Sequence, residues 1–213
     1  MEAGTTLSRM RERTRKNPRL VASATVFTAV TFCFLAIGAV LPVLPQYVRG
    51  PLGAGDVAVG VVVGAFAFTA VVGRPIGGRI ADARGRRRVV VAGMLLASFA
   101  GLLYLLPLGV AGLILARLVL GVGDGWVFTA GVTWIVDLAP EHRRGQAVGL
   151  FGLAIWGGLT IGPLLGELTK HALGYDGVWV LSALLPLVGA AIAVERRPEL
   201  VEAVDAHHLG VGQ

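Results

Sequence analysis

Six long stretches of this sequence carry almost no charge, and that pattern constrains the fold more than anything else in it. They lie at about residues 20–47, 57–80, 89–106, 109–136, 145–168 and 178–194. About 20 apolar residues in a helix cross the hydrocarbon core of a bilayer. In lipid every backbone N–H and C=O must be satisfied within the segment, which for an isolated span means a helix. The chain is therefore expected to be an all-α membrane protein of six transmembrane helices. Composition agrees: 55% of the 213 residues are hydrophobic and only 15% are charged. Soluble domains carry about 25% charged residues. A hydrophobic soluble α/β protein is disfavoured because the apolar residues come in blocks rather than in periodic faces.

The basic residues test this reading. Six spans place both termini on one side of the membrane. That side holds the first tail (Arg9, Arg11, Arg13, Arg15, Lys16, Arg19), the loop after the second block (Arg79, Arg84, Arg86, Arg87, Arg88), Arg143 and Arg144, and the last tail with Arg196 and Arg197. Fifteen of the 19 lysines and arginines fall there. The other side has Arg49 and Lys170, and Arg74 and Arg117 lie within blocks. The bias follows the positive-inside rule and sets both termini in the cytoplasm. It also accounts for the isoelectric point near 10.4 without nucleic-acid binding. The expected organisation is a basic cytoplasmic tail over 1–19, a transmembrane domain over 20–194 and a second cytoplasmic tail over 195–213, in a cell (plasma or inner) membrane. The first block is too long for the apolar region of a cleaved secretory signal, which spans about 7–15 residues, and is read as a retained span.

A weak repeat runs through the second and fifth blocks. Ala58-Val59-Gly60, then Pro75-Ile76-Gly77-Gly78 and Asp82, is echoed by Ala147-Val148-Gly149, then Pro163-Leu164-Leu165-Gly166 and Lys170, one residue apart in spacing. Three spans reverse direction, so two three-helix units would be related by inversion, a 3+3 repeat. Many of the 31 glycines lie within the blocks, and small residues allow membrane helices to approach closely. The lone cysteine, Cys33, builds no disulfide or metal site. No metal spacing, nucleophile motif or phosphate loop is present, so no cofactor and no enzymatic activity are expected.

Four tracts carry mechanism. Between the second and third blocks lies Gly78-Arg79-Ile80-Ala81-Asp82-Ala83-Arg84-Gly85-Arg86-Arg87-Arg88, whose glycines suit a tight turn. The fourth block ends on Asp137, an acid at a helix C-terminus and so in need of a cation. Within that block Arg117, Gly121, Asp124, Gly125 and Phe128 recur at three- and four-residue steps and share one helix face. An arginine and an aspartate at membrane depth are costly unless they face a cavity or a partner. Arg117 and Asp124, about 10 Å apart along the axis, are expected to line one aqueous path. The fifth block carries Gly149, Gly158, Gly162, Pro163 and Gly166. Arg74, a turn before the loop, is expected to reach back to the cytoplasm. Glu167 is read as an interfacial acid, and Pro42 and Pro45 as a bend at the outer end of the first span.

The loop tract resembles the signature cytoplasmic loop of the major facilitator superfamily: a Gly, three residues, Asp, two residues, Gly, then two basic residues. Ala83 stands where that family often has a base. The resemblance covers about residues 20–194 and implies one six-helix half of a transporter that ordinarily has two. It implies that Gly78, Asp82, Gly85, Arg86, Arg87 and Asp137 form a gating latch on the cytoplasmic side. It further implies that Arg117 belongs to proton coupling. The fifth block is similar to the family's antiporter motif, with Glu167 where a second glycine is usual, which implies efflux. The implied function is proton-coupled export of small molecules, with the other half supplied by a second copy or a separate chain. Uptake by a related carrier, or a truncated non-transporting membrane fragment or interaction protein, are the alternatives.

Overall fold

The computed structural model describes residues 18–195; the expected tails lie outside that range save for Pro18, Arg19 and Glu195. The described chain is helical almost throughout. Helix α1 spans Pro18–Arg49, α2 Asp56–Arg84, α3 Arg86–Leu103 and α4 Gly109–Leu138; a 3-10 turn, Glu141–Arg143, leads into α5, Arg144–Glu195. Helix α1 continues through Pro42 and Pro45.

Two expectations about element ends are corrected. The third block runs to residue 106, but α3 ends at Leu103 and the chain turns through Leu105 and Leu106. Pro107 is the reason: it disfavours helical geometry in the residue before it. The gap between the fifth and sixth blocks predicts a loop, whereas the backbone stays helical on both sides of a single kink. It leaves the helical region only at Gly174, where φ is 73° and ψ is −169°. That region of backbone space is open essentially to glycine alone. Helix α5 is thus two arms joined at Gly174, and it is 52 residues long.

Among the described residues four helical stretches are long and apolar enough to cross a membrane: Ala22–Arg49, Asp56–Arg84, Gly109–Leu138 and Glu141–Glu195. Helix α3 has a first turn made of Arg86, Arg87 and Arg88 and is only 18 residues long.

Helix α1 packs chiefly on α5, α2 packs on α4, and α3 joins α4 to α5. Glycines set these contacts. Along the α2–α4 seam, a Cβ on Gly121 would come within 2.3 Å of the Phe66 carbonyl oxygen, and one on Gly125 within 2.8 Å of that of Ala70. Thr69 Oγ1 donates a hydrogen bond to the Leu118 carbonyl at 2.8 Å across the same seam. Two apolar clusters fill the bundle. One lies toward the arginine-rich turn and includes Phe34, Met94, Val127 and Phe151; the other lies toward the opposite end and includes Leu44, Tyr104, Leu113 and Trp179. Helix α2 is the exception to this packing. Only 17% of its apolar window is buried, against 61% for α1, and Phe68, Val71 and Ile76 point outward.

Candidate functional site

The tight turn between α2 and α3 is made by Gly85, whose φ of 94° favours glycine and whose N–H caps the Ala81 carbonyl. The turn brings Arg86 beside two acids. Arg86 Nη2 lies 3.3 Å from Asp82 Oδ1, and Arg86 Nε lies 2.9 Å from Asp137 Oδ2 at the end of α4. One cation therefore ties α2, α3 and α4 together, and it relieves the unfavourable acid at the α4 C-terminus. Gly78 packs beside Thr129 of α4. Arg87 turns the other way: its Nε donates to the Ala193 carbonyl at 2.8 Å, and Nη2 donates to that of Val194. It caps the end of α5, where a cation complements the exposed carbonyls. Sequence reasoning grouped Arg87 with the latch and missed this cap, since the end of α5 is over a hundred residues away.

At membrane depth the charges are arranged differently from the expected open path. Arg117 and Asp124 are both buried, at 1% and 5% exposure. Arg117 interrupts the core: Ala116 belongs to one apolar cluster and Leu120 to the other. Its guanidinium sits over the Phe66 ring of α2, 4.5 Å from the centroid. Its Nε and Nη1 find no hydrogen-bond partner among the described residues. Asp124 feels two cations, Arg74 and Arg117, and is ion-paired within 4 Å to neither among the described residues. Arg74 does not reach for the cytoplasm. Its guanidinium lies over the Phe128 ring of α4 at 4.4 Å, because the close α2–α4 approach at Gly125 sets the two helices side by side at that level. The three charges thus form one group at the α2–α4 seam, of which the sequence offered only two.

The α5 glycines divide. Gly158, Gly162 and Gly166 meet α1 at Phe34, Leu35, Gly38 and Ala39, with backbone atoms 2.1–2.9 Å from where a Cβ would sit. Pro163 lies inside the helix beside this face. Gly149 has nothing within 4 Å and takes no part in this contact. Glu167 is partnered rather than free at the interface: it accepts from Gln46 Nε2 and from Lys170 Nζ, each at 2.6 Å. That network ties α1 to α5 at the end remote from the latch.

Comparison with known proteins gives these features a family. The model of the Major Facilitator Superfamily matches residues 26–208. The chain belongs to that superfamily. It is 33% identical over 175 residues to an uncharacterized MFS-type transporter of Salmonella typhimurium, an alignment covering 78% of this chain and 45% of that protein. It is also 32% identical over 161 residues to an uncharacterized MFS-type transporter of Burkholderia pseudomallei, covering 72% of this chain and 39% of the relative. Solved structures share the fold. A mutant peptide transporter POT in complex with sulfate superposes with a TM-score of 0.72 at 21% identity, over 83% of this chain and 38% of that one. The human organic anion transporter MFSD10 gives 0.69 at 19%, over 83% and 47%. The chain thus spans less than half the length of the relatives it matches, and it is a multi-pass membrane protein of a transporter superfamily.

Proposed function

We propose that this major facilitator superfamily chain is one six-helix half of a secondary transporter, which moves a small molecule across the cell membrane in exchange for protons. The observation that carries this reading is the charged group at the α2–α4 seam. Two arginines and an aspartate at membrane depth are expensive in an apolar bundle and are kept there for substrate or ion movement. Arg117 and Asp124 serve coupling and the substrate path. Arg86, with Asp82 and Asp137, latches the cytoplasmic side, Gly78 and Gly85 allow its close turn, and Arg87 fixes α3 to the end of α5. Gly158, Gly162 and Gly166 give α5 a smooth face on α1 along which the bundle rocks.

Six crossings are counted by taking α3 as one span and the two arms of α5 as two. Both termini then face the cytoplasm with the latch. The packing supports a 3+3 inverted repeat. If the first three spans map onto the last three, the α1 contact with the first arm of α5 maps onto the α4 contact with α2. Those are the two glycine-built seams described above. The contact of Gly101 in α3 with Ala183 in the second arm maps onto itself.

The apolar, unburied face of α2 fits a second six-helix half, from another copy of this chain or from a separate polypeptide. Export is favoured over uptake by the antiporter-like glycines of α5. The test is proton flux in liposomes containing the chain at a verified stoichiometry, with a pH-sensitive dye inside. Flux that disappears in Arg117→Ala supports a working carrier. Silence from a verified homodimer sinks the carrier reading for this chain alone and leaves a separate partner chain or a non-transporting fragment.

A further inference from the structure

Arg74 lies five residues, roughly 7 Å along the helix, inside Arg79, the first base of the loop tract, and so within the about 30 Å hydrocarbon layer but short of its middle. Its side chain is nevertheless exposed on the bundle surface. A guanidinium at that depth does not face lipid; it faces water or a polar partner. The surface on which it lies is that of the apolar, unburied α2, at the α2–α4 seam.

The surroundings leave this cation unbalanced. Acidic residues of the described helices near the membrane surfaces are Asp56, Asp82, Asp137, Glu141, Glu167, Asp176 and Glu195. At the level of Arg74 only Asp124 remains, and Asp124 is buried and shared with Arg117. Two arginines against one aspartate leave a single excess positive charge, and the exposed member is Arg74. Its contact is with a ring face: Phe128 lies beneath it at 4.4 Å, and Phe128 is itself braced edge-to-face on the buried Phe151, with centroids 5.9 Å apart. Stacking on an aromatic face holds a guanidinium in place without consuming its N–H donors. Those donors form a planar fork that matches the two oxygens of a carboxylate. The partly exposed ring of Phe128 supplies an apolar wall next to it.

We propose that Arg74 is the substrate-contacting cation of this site, and that the substrate is an organic anion with a carboxylate head and an apolar body. This rests on the transporter reading only for the word substrate; the binding site stands on Arg74, Phe128 and the charge count. It assigns Asp124 and Arg117 to the buried layer beneath the ligand, and Arg74 to the ligand itself.

The experiment is chemical modification of the full chain in liposomes with p-hydroxyphenylglyoxal, a water-soluble arginine reagent, read peptide by peptide by mass spectrometry. Arg74 is modified and Arg117 is not. Benzoate at about ten times its dissociation constant slows the Arg74 reaction about tenfold; benzamide, its uncharged analogue, and chloride do not. In detergent, benzoate raises the thermal midpoint of the unmodified chain, keeps part of that effect in Arg74→Lys and loses it in Arg74→Gln. An Arg74 as inert as Arg117, equal protection by benzamide, or equal protection by chloride each overturns the assignment. None of these readings requires transport. Protection at Arg74 with no proton flux would fail the carrier reading and keep the anion site; flux with an unprotected Arg74 would do the reverse.

Discussion

The α1–α5 seam makes a quantitative prediction. At Gly166 an added Cβ would stand 2.1 Å from the Ala39 carbonyl oxygen, a backbone atom, and ordinary contact begins at 3.4 Å. Gly166→Ala therefore requires the two helices to part by about 1.3 Å, a gap at which packed atoms forfeit a quarter to a half or more of their dispersion attraction. Overpacking of this kind costs about 1–3 kcal/mol, and the contacts of Gly158 and Gly162 along the same seam share the displacement. A clash with a backbone atom falls in the upper part of that range, about 2–3 kcal/mol, and alanine gains about 1 kcal/mol over glycine as a helix former, so the expected net loss is about 1–2 kcal/mol. For a chain of 150–250 residues that is a fall of about 2–8 °C in thermal midpoint. The assay is the fraction of detergent-solubilised protein remaining monodisperse after stepwise heating. Gly149→Ala is the control: with nothing within 4 Å it keeps only the propensity gain and stays at or above the parent. Gly162→Ala, at 2.7 Å from Gly38 Cα and the Leu35 carbonyl oxygen, falls between the two. A Gly166→Ala midpoint within about 1 °C of the parent, or a Gly149→Ala midpoint that drops as far, would refute the packing argument.

Three further outcomes are expected. Gly174→Ala loses about 1–3 kcal/mol although space around it is open, because its positive φ excludes a side chain; Gly157→Ala, helical and equally open, is neutral or stabilising in the same heating assay. Arg117→Met abolishes proton flux while the thermal midpoint changes little, since two nitrogens of the cation are unpartnered and Asp124 keeps Arg74 as its other cation; a clear drop in midpoint would make Arg117 a structural residue instead. A double-mutant cycle of Arg86→Ala and Asp137→Ala yields a coupling of about 0.2–1 kcal/mol, as partly exposed pairs do, and the coupling shrinks in 1 M salt; a coupling of zero would mean that the 2.9 Å pair does not hold the turn.

Much of the architecture was readable from the chain because lipid imposes local rules. A segment that crosses a bilayer must be apolar along its length, and a cytoplasmic loop must keep its arginines. Both are properties of consecutive residues. The Arg86 ion pairs were legible for the same reason: Gly85, Asp82 and Arg86 are neighbours in sequence, and Asp137 declared its need by its position at a helix end. What the sequence could not state was which helix lies beside which. Helix α4 is apolar on nearly every side, so periodicity names no buried face, and lipid is as apolar as a neighbouring helix. Tertiary structure alone decided that Gly121 and Gly125 receive α2 while Gly158, Gly162 and Gly166 receive α1, and that Gly149 receives nothing. It also decided that Arg74 lies on Phe128 rather than in the cytoplasm. The backbones approach closely wherever two smooth surfaces meet, and only the three-dimensional meeting shows which charges are thereby brought to the same depth.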